Sequence, residues 1–221
     1  VFATVEGYVP LIQTATTPKG EGTLVENVNR LTGKRRVQFS PDGTATVFQL
    51  PEKAINEVSS VKSGGEPVTN CTMDLENGTV TFTAAPAAGT NTVEIEYRKG
   101  DGARSEVTGM KYSELFNGAT DTRVFLYGDG TNRAVYSGVP FATGRESAEY
   151  FPDLYELTVG ESNTPLTALV RHYSRLMAFK TDSAWAILQG EIGLADGGST
   201  AAFYVQPVNR QFGNEAPGQV R

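Results

Sequence analysis

Apolar and polar residues alternate with a period of two along most of this chain, in short runs broken by glycine, proline and Asx turns. Such runs predict β-strands with one face on a core and one in water. Val80/Phe82 and Val93/Ile95/Tyr97 show the pattern clearly. Between residues 34 and 100 it predicts strands at 35–39, 44–50, 55–62, 67–73, 79–84 and 92–99. Pro41-Asp42-Gly43, Glu76-Asn77-Gly78 and Pro86-Ala87-Ala88-Gly89 separate them, and the first two carry the Asp-Gly and Asn-Gly signals of tight hairpins. Further strands are predicted at 122–128, 133–137, 155–159, 166–171, 175–180, 183–188 and 202–208, with a long loop over 138–153. Residues 1–12 read as a strand, 13–33 as a polar loop with a short turn of helix near 25–31, and 106–116 as either strand or helical turn.

The last half repeats itself. RVFLYG at 123–128 is followed by NRAVYSG at 132–138; RLMAFK at 175–180 is followed by SAWAILQ at 183–189. A period of about fifty residues with several strands per unit is the mark of propeller blades. The texture of 34–100 differs: many short strands at even spacing suggest a small immunoglobulin-like β-sandwich, without the Cys and Trp hallmarks of antibody domains. The expected fold is all-β, with blade-like four-stranded antiparallel sheets forming a partial β-propeller and an inserted immunoglobulin-like β-sandwich. The expected divisions are 1–33, a partial blade and connecting loop; 34–100, the sandwich; and 101–221, two blades, the break marked by Gly100-Asp101-Gly102. Both ends read as continuing, so the sequence is expected to be part of a longer chain.

Composition narrows the function. The 221 residues are 39% hydrophobic and 10% aromatic, enough for a packed core, and 24 Gly and 11 Pro suit short strands and turns. A formal charge of −6 disfavours a phosphate-backbone binder; the basic cluster Lys34-Arg35-Arg36 is short and reads as a solvated strand end. The single cysteine, Cys71, reads as a buried structural thiol in a disulfide-free chain. No apolar run reaches the roughly eighteen residues of a membrane span.

Several stretches carry a resemblance. Residues 121–128 (DTRVFLYG), Asn132-Arg133, Tyr136-Ser137 and Glu149-Tyr150-Phe151-Pro152 resemble propeller-type structural proteins of tailed bacteriophages and prophages. So do Val159-Gly160, 165–169 (PLTAL), Arg175-Leu176, Phe179-Lys180 and 183–187, and earlier Tyr8-Val9-Pro10, Gly20-Glu21-Gly22 and 29–33 (NRLTG). The segment 34–100, with Leu50-Pro51 and 84–89 (AAPAAG), resembles modules common in virion proteins. These motifs are patterns of packing and turns, not a catalytic signature. The resemblance implies a non-enzymatic virion component of the neck, tail or portal-proximal region, assembled in the bacterial cytoplasm, whose partners are other virion proteins or copies of itself.

Candidate chemistry is sparse. Propeller glycosidases need two carboxylates facing one pocket, roughly 5–10 Å apart. Asp121, Asp129, Asp153, Glu156, Asp182 and Glu191 are available, but Asp121, Asp129 and Asp182 sit beside Gly, Thr or Ser where Asp caps turns. Asp129-Gly130-Thr131-Asn132 lacks the terminal Glu of a calcium loop. His172, the single His, has no metal-ligating partner, and no GxSxG-like turn surrounds a serine. Gly197-Gly198-Ser199-Thr200 lacks the Lys of a phosphate loop and reads as a flexible connection. Trp185 is expected between sheets. No catalytic residue, cofactor or metal is expected. Tyr150, Phe151 and Tyr155 close the loop after Gly138 and are candidate interface anchors, since aromatics dominate hot spots. The alternatives are a carbohydrate-binding or glycan-hydrolysing propeller, acting on a host-surface glycan, and a bacterial surface adhesin fragment.

Overall fold

The computed structural model describes residues 6–117, 122–144, 147–193 and 199–217. Asp121, Gly197, Gly198, the start of the strand expected at 1–12 and the last four residues lie outside them. The protein is all-β. In chain order its elements are β1 (Leu11–Thr16), β2 (Thr23–Leu24), β3 (Lys34–Phe39), β4 (Val47–Gln49), β5 (Glu57–Ser63), β6 (Glu66–Pro67), β7 (Cys71–Asp74), β8 (Thr79–Phe82), β9 (Val93–Arg98), the short helix α1 (Ser105–Thr108), β10 (Tyr112–Asn117), β11 (Thr122–Tyr127), β12 (Arg133–Tyr136), β13 (Glu156–Thr158), β14 (Leu166–His172), β15 (Arg175–Lys180), β16 (Ala184–Gly193) and β17 (Ser199–Asn209). They form four sheets, ordered β2-β1-β3-β9-β5-β6, β4-β8-β7, β10-β11-β12-β13 and β14-β15-β16-β17. The described residues divide into two compact units: 6–104 with Pro140–Gly144, and the remainder from Ser105 onward.

The first unit holds the six- and three-stranded sheets around one core. Val37, Phe39, Val93, Ile95 and Tyr97 of the larger sheet meet Phe48, Val80 and Phe82 of the smaller. Alternation produces this directly: β3 buries Arg35, Val37 and Phe39, and β9 buries the residues opposite them, Tyr97, Ile95 and Val93. The outward face of the same strands carries the charges. Lys34 pairs with Glu96 at 3.7 Å, and Arg36 and Lys62 pair with Glu94 at 3.8 and 3.6 Å. Arg35 turns inward and pairs with Glu52, which also accepts the Tyr97 hydroxyl at 2.9 Å. The basic cluster is thus matched by carboxylates on neighbouring elements.

Residues 1–33, expected as a partial blade and connecting loop, supply the edge of this sheet in their described part. β1 runs parallel to β3, with register shifts either side of Gln13, and Ala15 takes a φ of 51° where the second shift falls. Other expectations also change. The helical turn expected near 25–31 does not form; Asn29 folds a tight turn by accepting the Leu31 N–H on its side chain at 3.1 Å. The strand expected at 67–73 divides into β6 and β7, and 106–116 resolves into helix followed by strand. Gly43 and Gly78 adopt φ of 80° and 66°. Asn77-Gly78 closes the β7–β8 hairpin as expected, whereas Asp42-Gly43 closes none: it joins β3 to β4, which lie in different sheets.

The second unit holds the two four-stranded sheets, each an antiparallel meander in chain order. RVFLYG falls on β11 and RLMAFK on β15, the second strand of each sheet; NRAVYSG and SAWAILQ fall on β12 and β16, the third strand of each. The outer strands meet: β10 contacts β14, and β13 contacts β17. Their shared core is aromatic. Phe203 of β17 reaches Phe125 at 5.1 Å, Tyr136 at 4.9 Å and Phe116 at 6.1 Å between ring centres. Trp185 lies in this core, as expected, its indole N–H donating to Ser183 Oγ at 3.0 Å.

Candidate interaction surfaces

The loop after Gly138 does not present the aromatics singled out from sequence. Tyr150 and Phe151 are 3% and 0% exposed, so neither is a surface anchor. The Tyr150 carbonyl accepts the Gly138 N–H at 2.8 Å, and its ring packs where a Gly138 side chain would stand. Tyr155 is half-buried: it stacks on Tyr136 at 4.9 Å and receives the Arg123 guanidinium 5.9 Å from its ring centre. Burial removes the apolar surface of these rings from water. The loop instead exposes Leu154, 71% accessible.

The carboxylates mostly serve turns. Asp129 accepts the Thr131 N–H at 2.9 Å and the Thr131 hydroxyl at 2.7 Å, and faces Arg133 at 3.4 Å. Burial raises its proton affinity, but those two bonds and the Arg133 charge outweigh burial and hold the carboxyl below its ordinary value. Glu156 and Glu106 share the same Arg133 at 3.5 and 3.3 Å. Asp182 caps its own turn through Ser183 and accepts the Thr164 hydroxyl at 3.0 Å. Asp153 and Glu191 are exposed on the surface. Among the described residues no three His, Cys, Asp or Glu side chains cluster to hold a metal. His172 ends β14 at the exposed tip of a hairpin, its ring edge-on to Tyr173 at 4.6 Å. Cys71 is half-buried rather than fully buried, packed against the core of the first unit. Lys180 is wholly buried; its ammonium donates to Ser162 carbonyl and hydroxyl at 2.6 and 2.8 Å, and burial pushes its pKa down.

Two clefts open in the first unit. One, of about 680 Å³, runs between the β1–β2 loop and the β3–β4 loop, lined by Lys19, Glu21, Ser40, Asp42 and Thr44 among others. It brings two carboxylates to one concavity. Asp42, however, accepts the backbone N–H groups of Ala45 and Thr44, both at 2.8 Å, and these bonds hold its carboxyl below the ordinary range. A general acid for glycoside cleavage needs the opposite shift. The other cleft, of about 480 Å³, is lined by Lys62, Asn91, Thr92 and Glu94, with Gly64 and Gly65 at its rim.

Two exposed features escaped the strand pattern. Tyr173 tips the β14–β15 hairpin, 86% exposed with a φ of 52°. β17 is an edge strand of eleven residues that exposes Tyr204 and Val208, 46% and 55% accessible. Periodicity finds such a strand but not which side of it is left unpaired. No helix among the described residues is long and apolar enough to cross a membrane. Comparison with protein-family models, with curated proteins and with solved structures finds no match.

Proposed function

We propose that this chain is a non-enzymatic structural component of a tailed-phage or prophage virion, in the neck or tail region, working through protein–protein assembly. The observation that carries the reading is the placement of the repeat. Its two copies occupy the second and third strands of two four-stranded meanders, and the first strands of the two meanders meet, as do the last. Successive propeller blades repeat and stack in this way. The first unit, two sheets on one core, is read as an immunoglobulin-like module joined to them. The side chains favour assembly over turnover. Asp129, Glu156 and Asp182 of the second unit are engaged in turns and ion pairs.

The test is immunogold labelling. Antibody raised against this chain is applied to phage particles induced from the strain that carries the gene. Gold at the neck or tail is the expected result. Gold on the cell envelope, with particles unlabelled, overturns the reading and favours the adhesin alternative. A parallel screen for binding and reducing-sugar release across bacterial surface polysaccharides should be negative; turnover there would replace the structural role with a hydrolytic one.

A further inference from the structure

The edges of the four sheets are not alike. A free strand edge exposes a row of unpaired N–H and C=O groups, and proteins that stay monomeric blunt it with shortness or charge. Most edges here follow that rule. β2, β6, β4 and β13 are two or three residues long, β7 ends on Asp74, β10 carries Glu114, and β14 ends on Arg171 and His172. β17 follows it only at its far end, where Pro207 stands. It is eleven residues long, roughly 36 Å at about 3.3 Å per residue. Its sequence, STAAFYVQPVN, contains no charged side chain. Among the described residues its strand partner is β16 alone.

The strand also outruns the sheet behind it. Pairing of β15 with β16 stops at Leu188, whereas β16 and β17 continue to pair from Gln189↔Phe203 to Gly193↔Ser199. That end is a two-stranded ribbon, a form that is marginal in water without further strands. Tyr204 and Val208 flank the free edge on one face, exposed and apolar. Pro207 has no N–H to offer, which sets the far limit of any ladder and leaves 199–206 to form it.

We propose that β17 is a self-association strand: its free edge pairs antiparallel with the β17 of a second copy about a two-fold axis, and the two four-stranded sheets continue as one of eight. The second copy is favoured as occupant by charge. An uncharged strand can lie against itself with no like charges opposed, whereas self-pairing of β10 or β14 would bring Glu114 or Arg171 toward its own copy. An isologous contact of this kind closes at two and does not propagate. The proposal deepens the assembly reading and rests on it for its use in a virion, but the geometry stands apart, and the two fail separately in the experiments.

The test is the oligomeric state of the 221-residue chain at micromolar concentration, by sedimentation velocity. The probe is the double variant Tyr204→Lys/Gln206→Lys. Both side chains are exposed, so the fold is expected to hold, which circular dichroism checks. The expected result is a dimer for the parent chain and at least tenfold weaker association for the variant. Glu114→Lys, on a different edge, should leave the dimer intact. Hydrogen exchange should show β17 amides protected in the parent and released in the variant. A monomeric parent, a dimer indifferent to the lysines, or open-ended polymers would each overturn the pairing. Immunogold on virions reads the assembly role independently of this outcome.

Discussion

Individual residues set local limits that can be measured. Gly160 has a φ of 72°, and a Cβ there would stand 2.7 Å from the Trp185 ring. Gly160→Ala therefore meets backbone strain and a steric clash together, and should cost about 2 kcal/mol or more. Urea denaturation followed by Trp185 fluorescence checks it, since that indole is the chain's only tryptophan. In the first unit, Glu52 is held by Arg35 and Tyr97, and the Arg35 side chain is 10% exposed. Glu52→Ala leaves a buried guanidinium and a buried phenol without their shared acceptor, a loss of about 2–3 kcal/mol. Tyr136 gives a pH signature. Burial, then the neighbouring Tyr155, push its phenol up to about 12, against a partial pull from Arg123. A phenol whose folded pKa lies above its unfolded 10 contributes stability that is complete below pH 10 and declines as pH rises from 10 toward 12. Tyr97, raised chiefly by burial and then by Glu52, acts in the same direction. The denaturation midpoint should fall across that window, and Tyr136→Phe should flatten the fall.

At the scale of elements, β17 contributes Phe203 and Val205 to the core that the two meanders share. Phe203 touches Phe116, Phe125 and Tyr136 of the facing sheet, so Phe203→Ala should cost about 3–5 kcal/mol, read as a lower midpoint of the Trp185 signal. The same element shows where sequence stops informing. Alternation located β11, β15 and β16 well, because an antiparallel strand with one buried face writes that face into every second residue. It could not distinguish the two arginines that open the repeats. Arg123 is buried and donates to the Ser137 carbonyl at 2.9 Å, whereas Arg175 is exposed opposite His172, and the difference comes from neighbours distant in sequence. Loop aromatics failed for the same reason: nothing local tells whether Tyr150 and Phe151 turn toward water or a core. The helical turn near 25–31 lost to Asn29, whose side chain offered the backbone a closer partner. That β17 ends its sheet among the described residues is a property of the sheet order, which no single strand's sequence contains.

At the scale of the whole molecule, the two cores have no member in common. One is built from residues between Ile12 and Tyr97, the other from residues between Phe116 and Phe203. Each segment is near the usual domain size of about 100 residues and encloses its own apolar cluster. Neither is crossed by a disulfide, since Cys71 is the only cysteine. A segment that carries its entire core should fold without the rest, because hydrophobic burial, the main driving term, is already complete within it. Residues 6–104 expressed alone should therefore give a dispersed amide NMR spectrum and one cooperative urea transition. Glu26 would lose the Phe141 N–H, donated at 2.6 Å, and would keep the Tyr8 hydroxyl and the Leu11 N–H. If the isolated segment instead gave a collapsed spectrum and a broad, non-cooperative transition, the cluster between Ile12 and Tyr97 would be insufficient on its own, and the division into two self-contained cores would be wrong.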